Sequence, residues 1–202
     1  MFPVPHVVVR PFDRKETVLS SKIEGTSTSF QMLLSFEAGQ PPLFFKNLED
    51  TREVHNNVKS LGFGLDRFKP LPMSSRLNCE CHEILMLGVR GERMTPGEVR
   101  RSQNWIGRSG AFLDSARYVP PPVEEMKVCL SALEQYIHSE SELPPLLCIG
   151  LVHFQFEAIH PFLDGNGCIG CLMMTFLFVV WGLLSQPLLY LSVFIENNRR
   201  EY

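Results

Sequence analysis

The sequence predicts a mainly α-helical fold, packed as one compact unit with a single β-hairpin flap. Three observations predict it. Apolar residues recur three and four apart in successive segments, the spacing of one face of a helix. Proline pairs and triplets punctuate those segments. Between Trp105 and Val119 the helical pattern lapses, and Gly107, Gly110 and aromatic residues replace it, as in a hairpin or flap.

The elements follow in order. Ser20 to Phe36 reads as one helix. Residues 51–68 do so more clearly, with Val54, Val58, Leu61, Leu65 and Phe68 on one face. Lys69-Pro70-Leu71-Pro72 breaks that helix. Leu77, Cys81, Ile84, Leu85 and Gly88 mark the next face. Thr95-Pro96-Gly97-Glu98 has the form of a helix start, with Thr as cap, Pro in the first turn and Glu three residues on. Pro120-Pro121-Pro122 closes the flap. Val123, Met126, Leu130, Leu133 and Ile137 define another helix, and Leu146, Ile149, Val152, His153 and Phe156 one more. An apolar helix over 168–184 and a last helix over 188–201 complete the chain.

Composition narrows the function. The 202 residues carry a formal net charge of -3, which gives no support for a nucleic-acid surface. A chain this long buries a core without disulfide or metal staples. The N-terminus lacks the basic and apolar regions of a secretory signal. Free thiols in a reducing cytoplasm are therefore expected for the six cysteines. The 17 residues from Cys168 to Leu184 carry no charge, close to the shortest membrane span. They begin at a Gly-Asn-Gly turn, contain Thr175 and lack flanking Lys or Arg, so a central core helix is expected and no membrane association.

The most informative stretch is His160-Pro-Phe-Leu-Asp164-Gly165-Asn166-Gly167. His160 follows a helix and titrates near neutral pH, so it can accept a proton. Asp164 offers the hard oxygen that suits Mg²⁺, although Asp before Gly is also an ordinary turn residue. Gly165, Asn166 and Gly167 let successive N–H groups converge on one anion, reinforced by the dipole of the helix behind them. General base, metal ligand and phosphate nest thus fall within eight residues. Pro161 and Phe162 read as the anchor of the loop.

The full stretch, residues 160–171, resembles the signature of the Fic family (Fic/Doc, or Fido), His-Pro-Phe-x-Asp/Glu-Gly-Asn-Gly-Arg-x-x-Arg. Ser20-Ser21-Lys22-Ile23-Glu24-Gly25 resembles the family's inhibitory helix motif, Ser/Thr-x-x-x-Glu-Gly/Asn. Arg101 to Gly107 and Val119-Pro120-Pro121-Pro122 look like the edges of its target-docking flap. The resemblance implies a Fic-type helical bundle with a β-hairpin flap beside the active-site loop. Residues 1–70 would form an N-terminal helical region with the inhibitory-type motif. Residues 71–202 would form the core with flap and signature loop. Family members usually continue at both ends, often into a winged-helix module, so the chain is expected to be part of a longer one.

The resemblance also implies an activity: transfer of AMP from ATP to a Ser, Thr or Tyr hydroxyl of a target protein docked at the flap. By match, His160 would deprotonate the hydroxyl and Asp164 would hold Mg²⁺ on the α- and β-phosphates. Gly165, Asn166 and Gly167 would form the anion hole. Ser20, Glu24 and Gly25 would form the inhibitory element, with Glu24 projecting toward the γ-phosphate position. Nothing in the chain specifies the target or the oligomeric state.

Two positions depart from the signature, which has arginines where this chain has Cys168 and Cys171. Losing two charge-assisted contacts to the phosphates would cost ~3–6 kcal/mol, or roughly 10²–10⁴ in rate or affinity. Three readings therefore stand: a weakened protein adenylyltransferase, a degenerate Fic domain that binds protein or nucleotide without turnover, and a thiol or metal protein. The third draws on Cys168-x-x-Cys171 at a helix N-terminus, which would lower the thiol pKa values, and on Cys79, Cys81 and His82 as further zinc ligands; against it stands the plainer reading, that the cysteines fill apolar space on a helix.

Overall fold

The computed structural model describes residues 5–40, 48–68, 72–107, 112–185 and 191–198. Eight α-helices are present among them. Helix α1 (Pro5–Ile23) and helix α2 (Phe30–Glu37) occupy the segment expected to hold one helix over 20–36. The break falls at Glu24 and Gly25, where Gly25 takes φ +100°, a left-handed conformation that glycine adopts without steric cost. Ser29 then restarts the helix, its Oγ accepting the Met32 N–H at 3.2 Å.

Helix α3 (Leu48–Arg67) and helix α4 (Ser75–Leu85) pack side by side. Polar side chains on the buried face of α3 satisfy the end of α4. Asn56 Nδ2 donates to the Leu85 and Leu87 carbonyls, and Ser60 Oγ to the Cys81 carbonyl. The Leu85 bond answers one of the orphan carbonyls that every helix C-terminus leaves.

The expected helix start at Thr95 does not form. Thr95 (φ 50°) and Gly97 (φ 78°) are both left-handed, and a 3-10 turn at Arg90–Arg93 precedes them. The Gly97 N–H donates to His82 Nδ1 instead of serving a helix. The expected hairpin is reduced to one isolated bridge between Ile106 and Tyr118, with no strand on either side among the described residues. Its tip, 108–111, lies outside them.

Helix α5 (Val123–His138), helix α6 (Pro145–Ile159) and helix α7 (Asn166–Val180) complete the main bundle, and helix α8 (Leu191–Asn197) packs back on α1. Helix α7 is central, touching α1, α3, α4 and α6. That position explains why it is apolar all round: Ile169, Met173, Phe176 and Leu177 are sealed from solvent. No helix among the described residues is long and apolar enough to cross a membrane. Helix α3 approaches α7 closely at Gly64, where a Cβ would overlap the Phe176 ring.

Candidate active site

The loop between α6 and α7 carries His160 to Gly165. His160 terminates α6 in the left-handed region (φ 49°, ψ 61°), a conformation that costs a non-glycine residue about 1–3 kcal/mol. Its own N–H bonds to the Phe156 carbonyl at 3.0 Å. Its carbonyl accepts from Arg100 Nε at 3.0 Å, and the next carbonyl, Pro161, accepts the Arg100 N–H at 2.8 Å. The peptide is therefore held on both sides.

Phe162 anchors the loop, as its apolar character suggested. It is fully buried and stacks on the His82 ring at 4.0 Å, nearly parallel. Asn166 bonds reciprocally to the Phe162 backbone: its Oδ1 accepts the Phe162 N–H and its Nδ2 donates to the Phe162 carbonyl, both at 2.9 Å. The Asn104 side chain donates to the same carbonyl. His82 fixes the far side of the turn. Its Nδ1 accepts from Gly97, so its Nε2 carries the proton that bonds the Asp164 carbonyl at 3.1 Å.

Asp164 Oδ1 accepts the Gly165 N–H at 2.8 Å. That bond changes the expected anion hole. The Gly165 N–H is already used, and the Asn166 side chain faces back into the loop. The first-turn amides of α7, at Asn166, Gly167 and Cys168, have no intrahelical acceptor and form the positive end of the helix. The Glu24 carboxylate lies against this turn at Gly167, where a Cβ would overlap it. Only glycine at 167 admits this approach.

The charges around the loop run against phosphate. Burial lowers the His160 pKa; the Glu157 backbone carbonyl opposes that shift, and Arg100 adds to it. Burial, then the Glu24 carboxylate, pushes Glu157 up to about 7. The alternative of acidic, redox-active thiols at Cys168 and Cys171 is contradicted by the structure. Burial raises both thiols first, and neighbouring carboxylates, Glu24 among them, raise them further. Both are neutral thiols, the opposite of the redox reading. The zinc reading meets a similar obstacle: no three or more His, Cys, Asp or Glu gather into a metal-binding group among the described residues.

A cavity of about 650 Å³ opens over the loop. It is lined by His160, Asp164, Gly165, Asn166, Gly167 and Cys168, by Glu24, Glu53 and Glu157, and by Trp105, Ile106 and Gly107 of the flap. The sequence-predicted base, metal ligand, nest and inhibitory carboxylate thus meet in one space. Ser20 does not join them. Its Oγ donates to the Thr17 carbonyl, and it lines a separate small cavity with Asp13, Glu16 and Cys171. Gly25 stands outside the cavity and serves as the stop of α1.

The chain matches the Fic/DOC family over residues 72–178 and the Fic/DOC family N-terminal region over residues 1–66. It belongs to the Fic/DOC family. A protein adenylyltransferase Fic of Drosophila willistoni is 34% identical over 128 residues, 60% of this chain and 24% of the relative. Its Drosophila virilis counterpart is 33% identical over the same span. The chain therefore spans about a quarter of these curated relatives. Among solved structures, a Fic family protein from Desulfovibrio desulfuricans superposes with a TM-score of 0.77 at 23% identity, covering 98% of this chain and 57% of that one. A Fic domain containing signaling protein from Bacteroides thetaiotaomicron gives 0.73 at 21% identity, covering 89% and 68%. Both show the fold.

Within this Fic/DOC chain, Asp164 fits a Mg²⁺ that is shared with phosphate. It is an exposed carboxylate with one oxygen anchored, and Mg²⁺ is bound by one or two protein carboxylates plus substrate oxygens. Three site residues escape a reading of the sequence alone. Arg100 stands one position before the flap-edge segment, in no periodic pattern. His82 invites a zinc reading through its cysteine neighbours, yet its ring is spent on Gly97 and Asp164. Glu157 looks like one more helix glutamate until α7 covers it.

Proposed function

We propose that this Fic/DOC chain is a protein adenylyltransferase, slowed by Cys168 and Cys171, that transfers AMP from ATP to a Ser, Thr or Tyr hydroxyl of a protein docked at the flap. The observation that supports it is the convergence of His160, Asp164 and the α7 amides on one cavity, with the flap residues Trp105 to Gly107 at its rim. Burial keeps the His160 imidazole neutral, the form that accepts a proton. The target hydroxyl oxygen attacks the α-phosphorus and its proton passes to His160. The bond from the α-phosphorus to the bridging oxygen breaks and pyrophosphate leaves. The first-turn amides of α7 stabilise the negative charge that develops on the phosphate oxygens. Asp164 would hold Mg²⁺, which supplies charge neutralisation on the phosphates. Glu24 acts as the inhibitory group by standing against Gly167, at the helix end that the phosphates need. The six cysteines, all free thiols, support a reducing, cytoplasmic setting.

One observation favours a second reading, a nucleotide- or protein-binding module without turnover. The cavity wall carries four carboxylates, Glu24, Glu53, Glu157 and Asp164, against one cation among the described residues, Arg90. Arg90 is itself engaged by Glu53 and Asp50.

Labelled ATP, Mg²⁺ and a cell lysate separate the two readings. The transferase reading expects label on protein that disappears with His160→Ala. No label above that control sinks it in favour of the binding module.

A further inference from the structure

Arg100 is a full charge with no exposed surface. Among the described residues its hydrogen bonds go to carbonyl oxygens alone. Nε donates to His160 at 3.0 Å, Nη1 to Ser102 at 3.3 Å, and Nη2 to Pro121. Its backbone N–H adds the Pro161 carbonyl. A buried cation without a carboxylate is a costly arrangement, tolerated where its donors are fully matched. The three side-chain acceptors belong to three segments: the base-bearing loop, the chain entering the flap and the chain leaving it. The planar fork of arginine can serve three such directions at once, which the point charge of lysine cannot.

We propose that Arg100 is a positioning residue that joins the flap to the His160 loop, so that the two move as one unit. The inference rests on the reading of His160 as the base only for its consequence in catalysis. His160 occupies the left-handed region, and a strained residue persists where its surroundings over-determine it. Arg100 supplies that determination from the carbonyl side, as Phe156 does from the N–H side. Because the same guanidinium grips Ser102 and Pro121, a target that settles on the flap also settles the peptide that aims His160. Two weaker ties run the same way, Tyr118 Oη to the Ala158 carbonyl and Asn104 to the Phe162 carbonyl.

Amide hydrogen exchange on the whole chain tests this without a substrate. The flap reporters are the amides of Ile106 and Tyr118, and the loop reporters those of His160 and Phe162. In the wild-type chain under mild urea, both sets are expected to open in one step, as a single cooperative unit. Two separate steps overturn the proposal. Arg100→Lys, which keeps the charge and loses the fork, is expected to speed both sets at least tenfold while α5 amides stay within twofold. Tyr118→Phe, which cuts one weaker tie and leaves the guanidinium in place, is expected to speed the two sets together and by less than Arg100→Lys. Faster flap exchange with an unchanged loop in Arg100→Lys overturns the proposal, as does an equal rise along the whole chain.

Where AMP transfer is measurable, Arg100→Lys should lower kcat at least tenfold and leave KM for ATP within twofold. A fall in apparent ATP affinity with kcat intact overturns the positioning role. A wild-type chain that transfers no AMP counts against the transferase reading and leaves the exchange result standing.

Discussion

Glu157 stands on α6 one turn before His160 and makes its titration a residue-scale property of the fold. Burial and the Glu24 charge hold its carboxyl at about 7, against an ordinary value of 4.5. An acid raised in the folded state stabilises below its unfolded pKa and loses that stabilisation as pH rises through the folded pKa. The loss therefore falls between pH 4.5 and 7. After allowance for partial exposure, it amounts to roughly 2 kcal/mol by pH 8. Glu157→Gln mimics the protonated form at every pH. Its urea midpoint should match the wild type near pH 4 and exceed it at pH 8; parallel pH profiles for the two proteins would refute the burial of a neutral carboxyl. The sequence presents Glu157 as a helix residue three positions before a histidine and no more. What changes its proton affinity is α7 lying across it and Glu24 arriving from a distant helix, neither of which local pattern encodes.

At the scale of elements, what the sequence made legible was what periodicity controls. Helices α3, α5 and α6 fall within a few residues of their expected spans because each buries a stripe spaced three and four apart, and α7 does so because a charge-free run makes a central helix. The misses lie where single backbone angles decide. Gly25 splits the helix read over 20–36, and Thr95 with Gly97 turns a plausible capping box into a tight turn that serves His82. Glycines inside α3 show the same principle in energetic form. Gly64 accepts the Phe176 ring of α7, whereas a Cβ on Gly62 would meet open space. Alanine favours a helix over glycine by about 1 kcal/mol at either site. At 64 the added methyl forces the ring to move, a cost of about 1–3 kcal/mol that cancels or outweighs the gain. Gly62→Ala should thus raise the melting temperature and Gly64→Ala should lower it or leave it unchanged. Equal increases in the two variants would show that α3 and α7 do not meet as closely as the ring requires.

The whole molecule brings Glu24, at the end of α1, onto the first turn of α7, more than 140 residues later in the chain. The signature resemblance pointed to both ends of this contact. It did not show that the contact forms without an arginine at position 171, the partner that the resemblance implies for Glu24. Here the carboxylate lies against Gly167 on the first turn of α7, near a helix end that attracts an anion by itself. On the proposed function, obstruction by Glu24 does not depend on an arginine, and Glu24→Gly should strengthen binding already in the present chain. Removing one carboxylate from a cavity lined by four frees the amides and lowers the repulsion of a polyphosphate. Calorimetry at low ionic strength should show MgATP binding at least threefold tighter than in the wild type. Cys168→Arg with Cys171→Arg adds the missing cations, and should tighten binding at least tenfold by a separate route. In that background Glu24 gains a partner and is held more firmly, so its removal should give a larger gain than in the wild type. The double-mutant cycle carries the decision. A Glu24→Gly effect that is absent in the wild-type chain and present only beside the arginines would mean that the carboxylate on Gly167 is no obstacle. The arginine, and not the helix end, would then be what locks it in place.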